Sequence, residues 1–321
     1  MVSGWPLFLA LRAAELARKG AVGLATSAVV AGMGQLGRDP VRAALEQILG
    51  VERDLGVPAT WFVLAGQPSL ATWLEGDATY DVGSHRARAL LGRIAGETHE
   101  IGIHGSFQTG KEDGRFGVER RRLGEVSAAP IDGVRQHFLK IRPGPTQRAM
   151  EAAGFTYDAS LGFPDRTGFR LGLADAVPSW DAAAGREGKL DEVPLIWMDR
   201  AASKYAGVKD PVRWVDEALN SAEECRSVEG LWTGLWHPNL TTALGFPGAE
   251  REFGRLVEGL KQGRPWMARL GEVVRWCRIR RGLVARVVDA GGQPAVQGGS
   301  FGGRGLVLED FRGSPRFELP A

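Results

Sequence analysis

The residues best suited to chemistry are the five histidines, His85, His99, His104, His137 and His237. The run Gly-Leu-Trp-Thr-Gly-Leu-Trp-His-Pro-Asn over 230–239 is apolar and aromatic and ends on His237 and Pro238. A buried strand that finishes on a histidine sets the imidazole at the mouth of a sheet or barrel. Parallel α/β folds keep their catalytic groups there. Pro238 has no N–H to give to a ladder, so the strand stops. A core strand with an edge histidine fits the same pattern equally well. His104 and His137 also stand at or near expected strand ends. Three imidazoles on one face would suit a borderline-soft divalent metal such as zinc. Histidines also fall at unrelated strand ends by chance, so spacing leaves the metal open.

Two charged residues join them. Arg135 stands two residues before His137 inside an apolar segment. A buried guanidinium there needs a carboxylate partner, and a structural salt bridge is the plainer reading. Asp158, in Tyr157-Asp158-Ala159-Ser160, is a carboxylate at a strand end.

The elements that must carry these groups follow from periodicity. Asp39-Pro40 marks a helix start, and Val41, Ala44, Leu45, Ile48 and Leu55 keep the helical period up to Gly56. Strands are expected at 59–65, 100–104, 133–139, 155–160, 192–198 and 231–237. Between and after them, helices are expected at 84–95, 112–127, 146–153, 210–225, 249–261 and 267–279. Residues 163–181 show no period and read as a loop. The alternation implies parallel strands with right-handed crossovers, in a barrel or a doubly wound sheet. An amphipathic helix is expected from Trp5, where an apolar run is followed by Arg12, Glu15, Arg18 and Lys19. Residues 281–321 change character, with short β-like runs between glycines. The expected division is a 1–280 (β/α) domain and a small β-rich appendix over 281–321.

Composition narrows the partners. With 40 basic and 38 acidic residues the net charge is +2, which argues against nucleic acid or another polyanionic polymer. No stretch is apolar and long enough for a membrane span. Cys225 and Cys277 form no staple pattern and suit reduced thiols in a cytoplasmic protein. Nothing in the sequence sets the oligomeric state.

Four segments, in order, carry a resemblance: Ala59-Thr60-Trp61-Phe62, Thr98-His99-Glu100-Ile101-Gly102-Ile103-His104, Arg135-Gln136-His137-Phe138 and Leu235-Trp236-His237. Together they resemble the polysaccharide deacetylase superfamily, carbohydrate esterase family four, in its divergent branch. The stretch 153–163 followed by Gly168-Phe169-Arg170 is similar to that branch as well. The resemblance covers about 39–278. It implies a distorted seven-stranded (β/α) barrel and metal-dependent hydrolysis of the amide of an N-acetylated glycan. It implies a divalent metal, zinc by preference, with His104 as a ligand. His237 would protonate the leaving amine, and Arg135 would orient the base. Leu235 would line the acetyl pocket, beside Trp236 and Phe138. Asp158 would orient His237.

This sequence departs from the family pattern twice. The usual second metal histidine, four residues after the first, is Gln108 here, and His137 is the expected substitute. The strand ending in Asp-x-Asp, which should carry the base and the metal aspartate, has no counterpart before Asp39. The expectation is therefore a barrel short of its first strand, either because Met1 is an internal methionine downstream of that motif or because the strand has been lost in a non-catalytic relative. Against the amide hydrolase stands a catalytically inactive relative that binds carbohydrate or serves as a scaffold. A different barrel hydrolase stands further behind.

Overall fold

The computed structural model describes residues 39–282, except 71, 73–76, 78, 79, 98 and 209, and short strands at 284–286, 295–297, 307–308 and 317–318. The amphipathic helix expected from Trp5 lies outside the described residues.

Helix α1 (Pro40–Asp54) starts where Asp39 caps it, its Oδ1 accepting the N–H groups of Val41 and Arg42 at 3.1 Å each. The chain turns at Gly56, whose φ of 62° suits glycine, into β1 (Thr60–Leu64). Helix α2 (His85–Gly96) is capped by Ser84. The chain then runs through β2 (Glu100–Gly105), α3 (Arg115–Gly124), β3 (Gly133–Gln136), α4 (Pro145–Ala152) and β4 (Tyr157–Asp158). Each lies within a few residues of its expected place.

The next stretch departs from expectation. Residues read as a loop contain β5 (Val177–Asp181), which pairs antiparallel with β6 (Arg186–Glu192). Pro178 and a bulge between Pro178 and Trp180 hide the alternation of β5, and β6 is mostly charged. Asp181 closes the hairpin by accepting the N–H groups of Ala183 and Ala184. The expected strand over 192–198 is in fact two pieces, the end of β6 and β7 (Trp197–Met198). The strand leading to His237 keeps a ladder only over β8 (Gly234–Leu235), parallel to β7. Its neighbours bond elsewhere: Thr233 O accepts from both Ile196 N and Trp197 N, and Leu231 N donates to Ala174 O.

The main sheet has the order β1-β2-β3-β4-β6-β5, parallel except at β5. Strands β7 and β8 form a separate pair. Among the described residues β1 pairs only with β2, and β8 only with β7. A cavity of about 1490 Å³ is lined by residues of both end strands, among them Thr60 and Phe62 of β1 and Gly234 and Leu235 of β8. The described ladders therefore do not close into a barrel.

Alternation sorts the parallel strands. Ile101, Ile103 and Val134 point outward into a core with Leu91, Ile94, Leu123 and Met150 from the helices. Phe62, His104 and Arg135 face inward on the cavity. Three more helices, α5 (Pro211–Ser227), α6 (Ala249–Gln262) and α7 (Leu270–Gly282), complete the described body. Helix α7 is tied to β1 and β2 by Leu270 N to Thr60 Oγ1 and Gly271 N to Glu100 Oε2, both 2.9 Å. Beyond it, β9 (Val284–Arg286) pairs with β10 (Ala295–Gln297), and β11 (Val307–Leu308) with β12 (Phe317–Glu318), both antiparallel. No helix among the described residues is long and apolar enough to cross a membrane.

Candidate active site

The geometry begins with register. His104 on β2 is opposite Arg135 on β3, so their side chains leave the sheet on the same face. His104 Nδ1 lies 3.1 Å from Arg135 O. A carbonyl only accepts, so Nδ1 carries the proton. Removal from water, first, and then the nearness of His137, Arg135 and His237, hold His104 well below the usual histidine range. The ring is then neutral, and its Nε2 accepts from His137 Nδ1 at 2.9 Å.

His137 reaches that position because β3 ends abruptly. The expected strand over 133–139 stops at Gln136 and turns through His137–Leu139, with Phe138 and Leu139 both left-handed at φ 54° and 53°. Two adjacent non-glycine residues in that region are held by their surroundings. Leu139 is buried with Leu195, Met198 and Ala201, and the rings of Phe107 and Phe138 lie edge-on to His137. Gln108, at the usual metal-histidine position, is part of a tight loop in which its N–H meets Ser106 Oγ. Buried carboxylates brace that loop, Glu119 on Ser106 N and Asp77 on Phe107 N.

His237 is held differently. Its Nδ1 donates to Asp199 Oδ1 at 2.6 Å, and its backbone N–H donates to Asp199 Oδ2 at 2.6 Å. Asp199 is fully buried. Asp158, expected on this histidine, is elsewhere. Its Oδ1 accepts the N–H and the hydroxyl of Ser160, and in register it faces Glu192, another buried carboxyl. Burial raises Asp158 to about 6. Asp199 was legible by the rule applied to His237, since it follows the apolar run Pro-Leu-Ile-Trp-Met at a strand end.

Arg135 was expected to need a carboxylate. It instead donates from Nε to Ala159 O at 3.0 Å and lays its guanidinium 4.4 Å from the Phe62 ring centre. The ring has room because residue 102 is glycine: a Cβ there would stand 2.8 Å from Phe62 Cε1. Burial lowers Arg135 to about 10, partly offset by Tyr157 and Asp158, so it remains a cation at neutral pH. Leu235, Trp236, His104, Arg135 and His237 all line the large cavity. Trp236 is also anchored in an aromatic cluster with Trp197, Trp214 and Phe253.

The expected metal meets only part of a donor set. His104 and His137 offer two imidazoles, but their 2.9 Å separation is that of a shared proton. Two ligands about 2.0–2.1 Å from a tetrahedral zinc would stand about 3.3 Å apart. Among the described residues no group of three His, Cys, Asp or Glu side chains could hold a metal ion. The described donors therefore do not fit that ion.

No protein-family model matches the chain, and no curated protein does. A solved structure does match, a crystal structure from Mycobacterium smegmatis described as a "putative polysaccharide deacetylase". The TM-score is 0.55 at 19% identity, over 89% of this chain and 90% of that one. The likeness is one of fold, and this chain therefore shares its fold with a structure described by the family name that its own sequence motifs resemble.

Proposed function

We propose that this chain is a polysaccharide deacetylase-like hydrolase of carbon–nitrogen bonds, acting on the amide of an N-acetylated sugar or polysaccharide. The reading is carried by one observation: His237, pinned by buried Asp199, opens on the same cavity as His104 and Arg135. Amide cleavage needs a proton on the leaving nitrogen as the C–N bond breaks. His237 supplies it from Nε2, while Nδ1–H stays on Asp199 and fixes the ring; the water whose oxygen bonds to the acyl carbon gives up the proton that restores His237. Arg135 puts positive charge on the cavity wall, where the carbonyl oxygen becomes anionic. Asp158 acts on the site through Arg135. Leu235 and Trp236, on the cavity wall, form the apolar surround for the acyl group, while Phe138 lies beside His137 and meets the neighbouring sugar.

A second reading is favoured by the same incomplete donor set: a non-catalytic carbohydrate binder on this fold. The deciding experiment incubates the full chain with N-acetylglucosamine oligomers and measures acetate release, with and without added zinc. Acetate release that falls at least a hundredfold in His237→Asn supports the hydrolase. Oligomer binding with no acetate under either condition sinks it and favours the binder.

A further inference from the structure

Beside the histidines lies a shelf that the hydrolytic chemistry does not use. Phe107 and Phe138 pack with ring centres 5.3 Å apart, and Phe138 is 40% exposed. Two lysines reach the shelf from different elements. Lys140 follows the left-handed turn after β3 and sets Nζ 4.9 Å from the Phe107 ring centre and 5.9 Å from that of Phe138. Lys204 comes from the five-residue π turn Ala201–Tyr205 after β7, with Nζ 5.6 Å from Phe138 and 5.3 Å from Tyr205. Both segments are irregular in backbone, a feature that clusters at functional sites. Among the described residues neither lysine has a carboxylate partner. Both ammonium groups lie within about 6 Å of the Phe138 ring centre, and the ring offsets the repulsion between them only in part. A neutral sugar stacking here would use the ring and leave both cations unpaired. An anion would pair with both.

We propose that Phe138, Lys140 and Lys204 form a subsite for an anionic group, a carboxylate or phosphate carried by the sugar next to the N-acylated one. The proposal rests on the carbohydrate reading above and narrows it from N-acetylated glycans in general to acidic ones; a net charge of +2 argues against a broad polyanion-binding face, not against one anionic group held by two local cations.

Calorimetric titration of the full chain tests it with three tetrasaccharides of equal length. One is all N-acetylglucosamine, one alternates N-acetylglucosamine with glucuronate, and one carries a single 6-phosphate. At low salt at least one acidic oligomer should bind about tenfold more tightly than the neutral one. The advantage should shrink towards about 0.15 M salt. Whichever acidic oligomer is preferred identifies the anion. In Lys140→Gln/Lys204→Gln the ratio of acidic to neutral affinity should fall to about one, while Lys140→Arg/Lys204→Arg keeps it. Equal affinity for all three oligomers, or a ratio that survives the glutamine variant with its melting temperature intact, overturns the subsite and leaves the carbohydrate reading standing. Binding of none of the three overturns both.

Discussion

The two faces of the parallel sheet do opposite work with the same strands. On the outer face Ile101, Ile103 and Val134 are buried against helices. On the inner face Gly102, His104 and Arg135 sit one residue away from them along the chain and carry chemistry. The treatment of charge differs in the same way. Inward, Arg135 lies on an aromatic ring beside a cavity and stays cationic, lowered only to about 10. Outward, Glu52 on α1 is enclosed beside Trp61 and His99, and burial raises it to about 8. His99 accepts Ala59 N–H at Nδ1, so its own proton is on Nε2, 3.3 Å from Glu52 Oε2. A dry helix–sheet layer holds its carboxyl neutral, while a cavity wall keeps its guanidinium charged. Stability and chemistry are thus assigned to alternate residues.

That division can be broken at Ile103. Ile103→Ala removes a fully buried outward side chain and should lower unfolding free energy by about 2–5 kcal/mol in denaturant titrations. Its neighbour His104 should keep the tautomer seen by NMR in the protein that remains folded. A loss under 1 kcal/mol would mean that the outer layer is not where the fold is held.

Glu52 sharpens the contrast through pH. Its folded-state value is raised, so the folded chain holds a proton that the unfolded chain has released above about 4.5. Stability from this group is therefore full below pH 4.5 and declines as pH rises to about 8. Glu52→Gln keeps an acceptor for Trp61 Nε1–H without the ionisation. At pH 8 it should be more stable than the native chain by about 2–4 kcal/mol, an advantage that vanishes near pH 4.5. Melting curves across that range check the sign, and a variant less stable at pH 8 would refute it.

The smallest effect is expected at the site itself. Phe138→Gly relieves a left-handed backbone but loses a ring that is 40% exposed. Those contributions oppose each other, so stability should change by no more than about 1 kcal/mol. Glycan affinity should fall, and the two readouts together separate strain held for function from packing held for the fold.

Much of this was legible in the residues. Caps such as Asp39 and Asp210 act within one turn of their own helices, so those starts could be read directly. The alternation of Ile101, Gly102, Ile103 and His104 is present in the residues, but which face meets the cavity is settled by pairing with β1 and β3. The β5–β6 hairpin was not legible, because Pro178 and a charged partner strand erase the period that signals a strand. The pairing of His237 was not legible either. Asp158 and Asp199 have the same local credentials, each closing an apolar run.

The sequence by itself determined the helices and parallel strands and the placement of His104, His137 and His237 near strand ends. These depend on residues close in the chain, where periodicity and capping act. Only the tertiary structure decided that Asp199 holds His237, that Arg135 lies on Phe62 rather than on a carboxylate, and that His104 and His137 share a proton. Each of those choices is made across 30 to 80 residues of chain by strand register and burial, which no local pattern encodes.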